Sequence, residues 1–109
     1  MQYWEQIYCE TVDGFEIVLS VTPDDTHPRD SFDDSCCNVD EICQDIDDGR
    51  LVWFTARVEA RKGHIVLGTD FLGGCLYRDA KEFISDDYFQ DMKLSAIAEA
   101  KKAIQTLTA

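Results

Sequence analysis

The residues of this sequence that could do acid–base chemistry lie close together in a short stretch rich in aspartate. Asp25, His27 and Asp30 fall within six residues of one another, and a carboxylate beside a histidine can orient the imidazole as a general base. However, no serine or cysteine in this stretch has the surroundings of an activated nucleophile. A loop histidine beside a proline is typically a solvated side chain. We therefore expect no catalytic residues and a protein that is not an enzyme.

The cysteines are the candidate ligands for zinc. Cys36, Cys37 and Cys43, with His27, could supply thiolate and imidazole groups. Structural zinc sites usually take pairs of ligands two to four residues apart, and adjacent cysteines point in different directions. The chain has five cysteines, and an odd number without a secretory signal favours reduced thiols. We expect Cys43 to be a core residue and not a ligand.

Two further stretches of the sequence lack residues that known binding motifs require. Asp33, Asp34, Asp40 and Glu41 could offer oxygens to Ca²⁺ or Mg²⁺, but the alternating ligands, glycine and closing glutamate of an EF-hand are missing. The glycine-rich piece LGTDFLGGC (67–75) is not followed by the Lys-Ser or Lys-Thr of a phosphate-binding loop. The sequence therefore predicts no bound metal and no cofactor.

The main feature of the sequence is its uneven charge. Residues 1–50 hold fourteen acidic and two basic residues, whereas residues 51–109 hold eight of each. The net charge of −12 therefore belongs to the first half, and ten of its acids lie in the segment 22–49. A negative electrostatic field attracts basic partners and repels nucleic acid. The few bases of residues 57–62 do not outweigh this charge, so we expect no direct binding to nucleic acid.

The alternation of side chains along the sequence predicts the strands that flank this acidic segment. Residues 2–10 alternate with period two, with Tyr3, Ile7 and Cys9 on one face and Trp4 and Tyr8 on the other, which predicts a strand. After the turn Asp13-Gly14, residues 15–21 alternate clearly and predict its hairpin partner. Residues 51–61 and 64–71 predict a second hairpin, and residues 75–77 resume the last strand beyond a bulge at the paired glycines.

Between the two hairpins we predict a long acidic loop (22–38) and a short helix (39–47). Asn38 and Glu41 have capping-box spacing, and Gly49 suits the position after the helix. The acidic residues Asp45, Asp47 and Asp48 stand at the helix C-terminus, where the dipole disfavours negative charge. This conflict indicates that the carboxylates serve a partner.

At the C-terminal end, Asp79 precedes one helical turn, and Ser85 is predicted to cap a long helix that ends near Thr106. We therefore expect one α+β domain over residues 1–109: a four-stranded antiparallel sheet in ββαββα order, with a short acidic helix and a long C-terminal helix packed on one face. The N-terminus lacks the features of a signal peptide, and no apolar run approaches the ~18 residues of a membrane span. We expect a cytoplasmic protein of a bacterial host cell that makes no contact with the membrane.

Several segments together resemble a known group of proteins. They are HPRDSFDDS (27–35), DDGRLVWFTARV (47–58), DFLGGCLY (70–77) and the aspartate-rich start of the last helix. They resemble small acidic proteins carried by phages, plasmids and other mobile elements, mostly without assigned function. The resemblance implies a gene that is carried with other accessory genes of mobile elements. Small acidic accessory proteins of this kind include anti-CRISPR and anti-restriction inhibitors, several of which imitate the phosphate charge of nucleic acid.

We therefore expect a non-enzymatic inhibitor or adaptor that blocks a basic, nucleic-acid-binding surface of a host defence complex. The predicted partner-binding residues are Asp30, Asp33, Asp34, Asp40, Glu41, Asp45, Asp47 and Asp48.

Two alternatives stay open. One is a homodimeric interaction scaffold that pairs through Trp53, Thr55 and Arg57 on an exposed strand face. The other is a small metal- or ligand-binding enzyme that uses Asp25, His27 and the cysteines.

Overall fold

A computed structural model describes residues 3–24 and 39–108. The described elements follow the predicted order, and the helical turn predicted after Asp79 is a short 3₁₀ helix: β1 (Glu5–Val12), β2 (Phe15–Pro23), α1 (Val39–Asp47), β3 (Val52–Lys62), β4 (Ile65–Tyr77), the 3₁₀ helix (Ala80–Ser85) and α2 (Asp87–Thr108). The strands form one antiparallel sheet in the order β1-β2-β3-β4. The α+β architecture is therefore confirmed. None of the helices within the described ranges is both long and apolar enough to cross a membrane.

The core lies between one face of the sheet and helix α2. The alternation predicted for β2 and β3 is confirmed, because every second residue of each strand is buried on this face. The buried residues are Phe15, Ile17, Leu19 and Val21 of β2, Phe54, Ala56, Val58 and Ala60 of β3, and Phe89, Met92, Ala96, Ile97 and Ala100 of α2. Leu107 continues the apolar spacing of this helix face but is 77% exposed, since the last turn of α2 extends past the buried residues.

Strand β1 departs from the predicted alternation. Its register with β2 shifts between Gln6 and Tyr8, and such a bulge inserts one residue and resets which face each side chain takes. As a result the adjacent residues Ile7 and Tyr8 both pack against the core, whereas Cys9 is exposed. The Tyr8 ring meets the Phe89 ring edge to face, with centroids 5.8 Å apart. The prediction that Ile7 and Cys9 share a face was wrong.

The predicted end of helix α1 is confirmed in detail. Gly49 has a φ of +81°, and its N–H donates to the carbonyl of Ile46 at 3.1 Å while the N–H of Arg50 donates to the carbonyl of Asp45 at 2.8 Å. This pair of bonds is the Schellman motif, which glycine favours because it has no Cβ to clash at positive φ. The apolar side chains Ile42 and Cys43 are half-buried. Cys43 was expected in the core, but the core cluster of the described residues is built from the sheet, the 3₁₀ helix and α2.

The capping residues near α2 are partly as predicted. The Asp79 carboxylate accepts the N–H of Lys81 at 2.9 Å and begins the 3₁₀ helix. Helix α2 is capped by Asp86 and not by Ser85, since the Asp86 carboxylate accepts the N–H of Tyr88 at 2.9 Å. The 3₁₀ helix runs through Ser85 and leaves the next residue, which is extended, to act as the cap.

Candidate functional site

Helix α1 brings five of the predicted partner-binding residues onto one small surface. Asp40, Glu41, Asp47 and Asp48 are exposed, and Asp45 is half-buried. They fall within two helical turns and the residue after them, so their carboxylates belong to one patch. We call these five residues the acidic surface of α1. The other three predicted contacts, Asp30, Asp33 and Asp34, lie outside the described residues, as do Asp25, His27, Cys36 and Cys37.

Arg50 pairs with two carboxylates of this surface. Its Nε donates to Asp45 Oδ1 at 2.8 Å, and its Nη2 donates to Asp48 Oδ2 at 2.9 Å. Gln44 also donates to Asp48 Oδ1 at 3.0 Å. The Schellman motif turns the chain at Gly49, and this turn carries the Arg50 side chain back over the helix end. The positive charge of Arg50 therefore offsets part of the unfavourable interaction between the helix dipole and the carboxylates of Asp45 and Asp48.

The ion pairs of Arg50 are exposed to solvent. The hydrogen bond and the charge of Asp45, with a smaller contribution from Asp48, raise the pKa of the Arg50 guanidinium. The Arg50 side chain is 62% exposed, and exposed ion pairs contribute little to stability. A guanidinium or ammonium group of a partner can therefore compete with Arg50 for the same oxygens at low cost.

A second predicted surface lies on the sheet face opposite α2. Trp53, Thr55 and Arg57 are half-buried there, and Arg57 stacks on the Trp4 ring with its guanidinium carbon 4.3 Å from the ring centroid. Trp4 also meets the ring of Phe71, which is 58% exposed, at 6.1 Å between centroids. The three residues therefore share one face, but they are half-buried and not exposed as expected, and Arg57 contacts Trp4 of its own chain. Pairing of two copies through this face stays a prediction.

The bases on this face are bound to a buried acid. Glu59 is only 8% exposed, and its Oε1 lies 2.6 Å from Arg61 Nη2 and 3.4 Å from Arg57 Nη2. Two arginines around one carboxylate leave a local excess of one positive charge. This arrangement lacks the row of exposed bases that phosphate contacts require.

One link between distant segments was not foreseen from the sequence. Asp24, at the end of β2, has an Oδ2 that accepts both the Thr55 hydroxyl and the Gly74 N–H at 2.8 Å. Gly74 has a φ of +67°, and a Cβ there would lie 3.3 Å from the Trp53 ring. The paired glycines in the sequence indicated a bulge, but nothing local indicated that Asp24 would bind it.

Beyond this link, a groove of about 410 Å³ runs beside residues 72–77 of β4 and reaches Tyr88 in the first turn of α2. Cys75 lines this groove and is buried, and its thiol donates to the Leu72 carbonyl at 3.3 Å. Burial raises the pKa of the Cys75 thiol to about 11, so it is a poor nucleophile and a poor metal ligand at neutral pH. The Cys75 thiol is therefore not activated for covalent chemistry at neutral pH.

Within the described residues, no three His, Cys, Asp or Glu side chains are grouped so that they could hold a metal ion. In comparisons with known proteins, no protein-family model, no curated protein and no solved structure matches this chain. Among the described residues, the acidic surface of α1, the half-buried sheet face opposite α2 and the groove beside β4 are the surfaces from which a function can be inferred.

Proposed function

We propose that this protein is a non-enzymatic inhibitor or adaptor that places the acidic surface of α1 against a basic, nucleic-acid-binding groove of a host defence complex. Its carboxylates would occupy the arginines and lysines that otherwise hold phosphates, as in anti-CRISPR and anti-restriction inhibitors that imitate nucleic acid. The observation that carries the proposal is the charge density of α1.

That density can be compared with a nucleic acid strand. From Asp40 to Asp48 the chain carries five carboxylates, and this length of helix spans about 12 Å at ~1.5 Å per residue. Arg50 adds one positive charge, so the formal net charge of residues 40–50 is −4. One strand of B-form DNA has a phosphate about every 3.4 Å, and so carries roughly four over the same distance. The acidic surface of α1 thus supports an imitation of phosphate charge in both amount and length.

The test is a pair of matched double variants. Glu41→Lys with Asp47→Lys reverses two exposed charges on α1, and Asp91→Lys with Glu99→Lys makes the same change at exposed positions of α2. Each protein is immobilised and exposed to a nuclease-treated bacterial lysate, and bound proteins are eluted with rising salt. We expect the wild type and the α2 variant to retain a salt-sensitive partner and the α1 variant to lose it.

The captured partner provides the second half of the test. After elution it should bind nucleic acid, and added wild-type protein should release that nucleic acid while the α1 variant should not. Circular dichroism checks that both variants keep their helices. If the α1 and α2 variants capture the same proteins with the same salt dependence, the acidic surface of α1 is not the binding surface and the proposal fails.

A further inference from the structure

Two arginines on the sheet face opposite α2 have hydrogen-bond donors that no group of the described chain accepts. The Nε atoms of Arg57 and Arg61 are buried, and within the described residues neither atom has a hydrogen-bond partner. Each guanidinium carries five N–H donors, whereas Glu59 Oε1 lies 2.6 Å from Nη2 of Arg61 and 3.4 Å from Nη2 of Arg57. Buried N–H groups without an acceptor are rare in folded proteins, so these donors indicate that the face takes an acceptor from outside the chain.

The charge and the geometry of this face suit a single carboxylate. The two guanidiniums share one acid, Glu59, so one positive charge is unbalanced. The Trp4 ring stacks on Arg57 at 4.3 Å, which fixes the plane of the guanidinium and leaves its N–H edge for a planar acceptor. The Arg57 and Arg61 side chains are 21% and 31% exposed, so a ligand can reach them. In a chain of net charge −12, one excess positive charge favours one carboxylate over a polyanion.

Exposed apolar side chains lie beside both arginines. Across β3 and β4, Arg57 is paired with Phe71 and Arg61 with Val66, and residues directly opposite each other in an antiparallel pair lie on the same face of the sheet. Phe71 and Val66 are both exposed. The face therefore presents two basic side chains on β3 and two apolar side chains on β4.

This part of the face lies toward the turn between β3 and β4. Asp24, the last described residue before residue 39, donates its N–H to the Trp53 carbonyl at 3.3 Å. Arg61 is eight residues further along β3, which is about 26 Å at ~3.3 Å per residue. Arg61 and Val66 therefore lie at the opposite end of the sheet from Asp24.

We propose that Arg57, Arg61, Phe71 and Val66 form a binding site for an extended segment of a partner protein that carries one glutamate or aspartate two residues from an aromatic residue. The carboxylate bridges the two guanidiniums, which turn outward so that N–H groups buried without a partner gain an acceptor. The aromatic side chain of the partner packs on Phe71.

A protein segment fits this site better than a small molecule does. Small ligands bind in concave pockets, and none of the four residues lines the groove beside β4. The site is separate from α1 and does not rest on the function proposed above.

The probe is a capped heptapeptide of serines with one glutamate and one phenylalanine two positions apart, so that in an extended peptide both side chains point the same way. It is titrated into the ¹⁵N-labelled full-length chain, and the arginine Nε–H and backbone amide signals are followed by NMR. We expect shifts of the Nε–H signals of Arg57 and Arg61 and of the amides of residues 66–71. Peptides with glutamine for glutamate, or with alanine for phenylalanine, should each bind about tenfold more weakly. A peptide with glutamate at every serine position should also bind more weakly, because the acidic chain repels the added charge.

Two pairs of matched variants locate the contact. Phe71→Ala should lower the affinity about tenfold, whereas Tyr88→Ala truncates a similarly exposed aromatic residue of α2, on the other side of the sheet, and should leave the affinity unchanged. Arg61→Gln should also lower the affinity about tenfold, whereas Lys102→Gln removes one positive charge at an exposed position of α2 and should have no effect. Circular dichroism checks the fold of each variant, and the Phe71 pair decides alone if Arg61→Gln does not fold.

Three results would overturn the proposal. They are equal affinity of Phe71→Ala and Tyr88→Ala, equal binding of the glutamine peptide, and peptide binding that leaves the Nε–H signals of Arg57 and Arg61 unmoved. Shifts at residues 66–71 that grow with protein concentration without peptide would instead assign the face to a second copy and would also overturn it.

The test also separates this site from the acidic surface of α1. The variant Glu41→Lys with Asp47→Lys should retain peptide binding. Loss of lysate capture with peptide binding intact would therefore concern α1 alone, and the converse would concern the sheet face alone.

Discussion

Gly68 of β4 lies directly against the backbone of α2, so that a Cβ on Gly68 would stand 2.0 Å from the Ala96 carbonyl oxygen and 2.9 Å from the Ala100 nitrogen. These are backbone atoms and cannot move aside as a flexible side chain would. The absence of a side chain at Gly68, together with the alanines at positions 96 and 100, sets how closely the helix approaches the sheet.

Gly68→Ala should therefore force α2 away from the sheet. We expect a loss of about 1–3 kcal/mol or more in the free energy of unfolding, the range of overpacked cores, measured by urea denaturation. Gly73→Ala is the comparison, because its added methyl would meet the Asp24 side chain at 3.3 Å and needs only a small adjustment. Equal stability of the two variants would contradict the close packing of β4 on α2.

The stability of the fold should depend on pH through Glu10. Lys93 donates to Glu10 Oε1 at 2.7 Å, and the Tyr8 hydroxyl donates to Oε2. These bonds hold the pKa of the Glu10 carboxyl below its ordinary value of 4.5. A lowered pKa stabilises the fold at pH values above the ordinary one, and the contribution disappears as the pH falls through the lowered value.

Glu10→Gln tests this dependence. We expect it to cost about 1–2 kcal/mol at neutral pH and progressively less in acid, as followed by urea denaturation across the acid range. Asp13→Asn is the control: Asp13 pairs with Lys101 at 3.2 Å, but both side chains are more than half exposed, so the cost should be close to zero. A constant difference between wild type and Glu10→Gln at every pH would show that the carboxylate charge is not what stabilises the fold.

The Asp24 carboxylate should hold the bulge of β4 in place. Asp24→Ala leaves the Gly74 N–H and the Thr55 hydroxyl without this acceptor, and we expect a loss of about 1–3 kcal/mol together with faster hydrogen exchange at the Gly74 amide. Thr55→Val removes one of the two bonds and should have a smaller effect on both. If the Gly74 amide exchanges at the same rate in Asp24→Ala and wild type, the link does not fix the bulge.

Arg50 should limit binding by the acidic surface of α1 if that surface has the proposed function. Arg50→Gln releases Asp45 and Asp48 from their ion pairs, so we expect a basic partner to bind more tightly and with a steeper dependence on salt. The backbone bonds of the Schellman motif do not use the side chain, and helicity measured by circular dichroism should fall only slightly. Weaker binding would instead show that Arg50 itself contacts the partner.

The cysteines should differ in reactivity. Cys9 is exposed and Cys75 is buried, and the pKa of the Cys75 thiol is raised to about 11. N-ethylmaleimide at neutral pH should therefore modify Cys9 well before Cys75, as mapped by peptide mass spectrometry, and denaturant should abolish the difference. Rapid labelling of Cys75 in the folded protein would contradict its burial beneath the groove.

Much of the fold follows from local patterns. The alternation in β2 and β3 predicts which residues enter the core, because a strand turns successive side chains to opposite faces whatever lies beyond it. Gly49 and Asp79 were predicted as helix-end residues for a similar reason, since a cap needs only the residues within one turn. The acidic surface of α1 also follows from the sequence, because residues three and four apart share a helix face.

What the sequence alone determined is thus the set of elements, their faces and the position of the charge. The tertiary structure decided which elements meet. The bulge that turns Ile7 and Tyr8 both inward and the bond of Asp24 to Gly74, fifty residues away, depend on how strands pair. The groove between β4 and Tyr88 exists only once α2 lies across the sheet. Contacts of this kind depend on segments far apart in the chain, and no local pattern of residues encodes them.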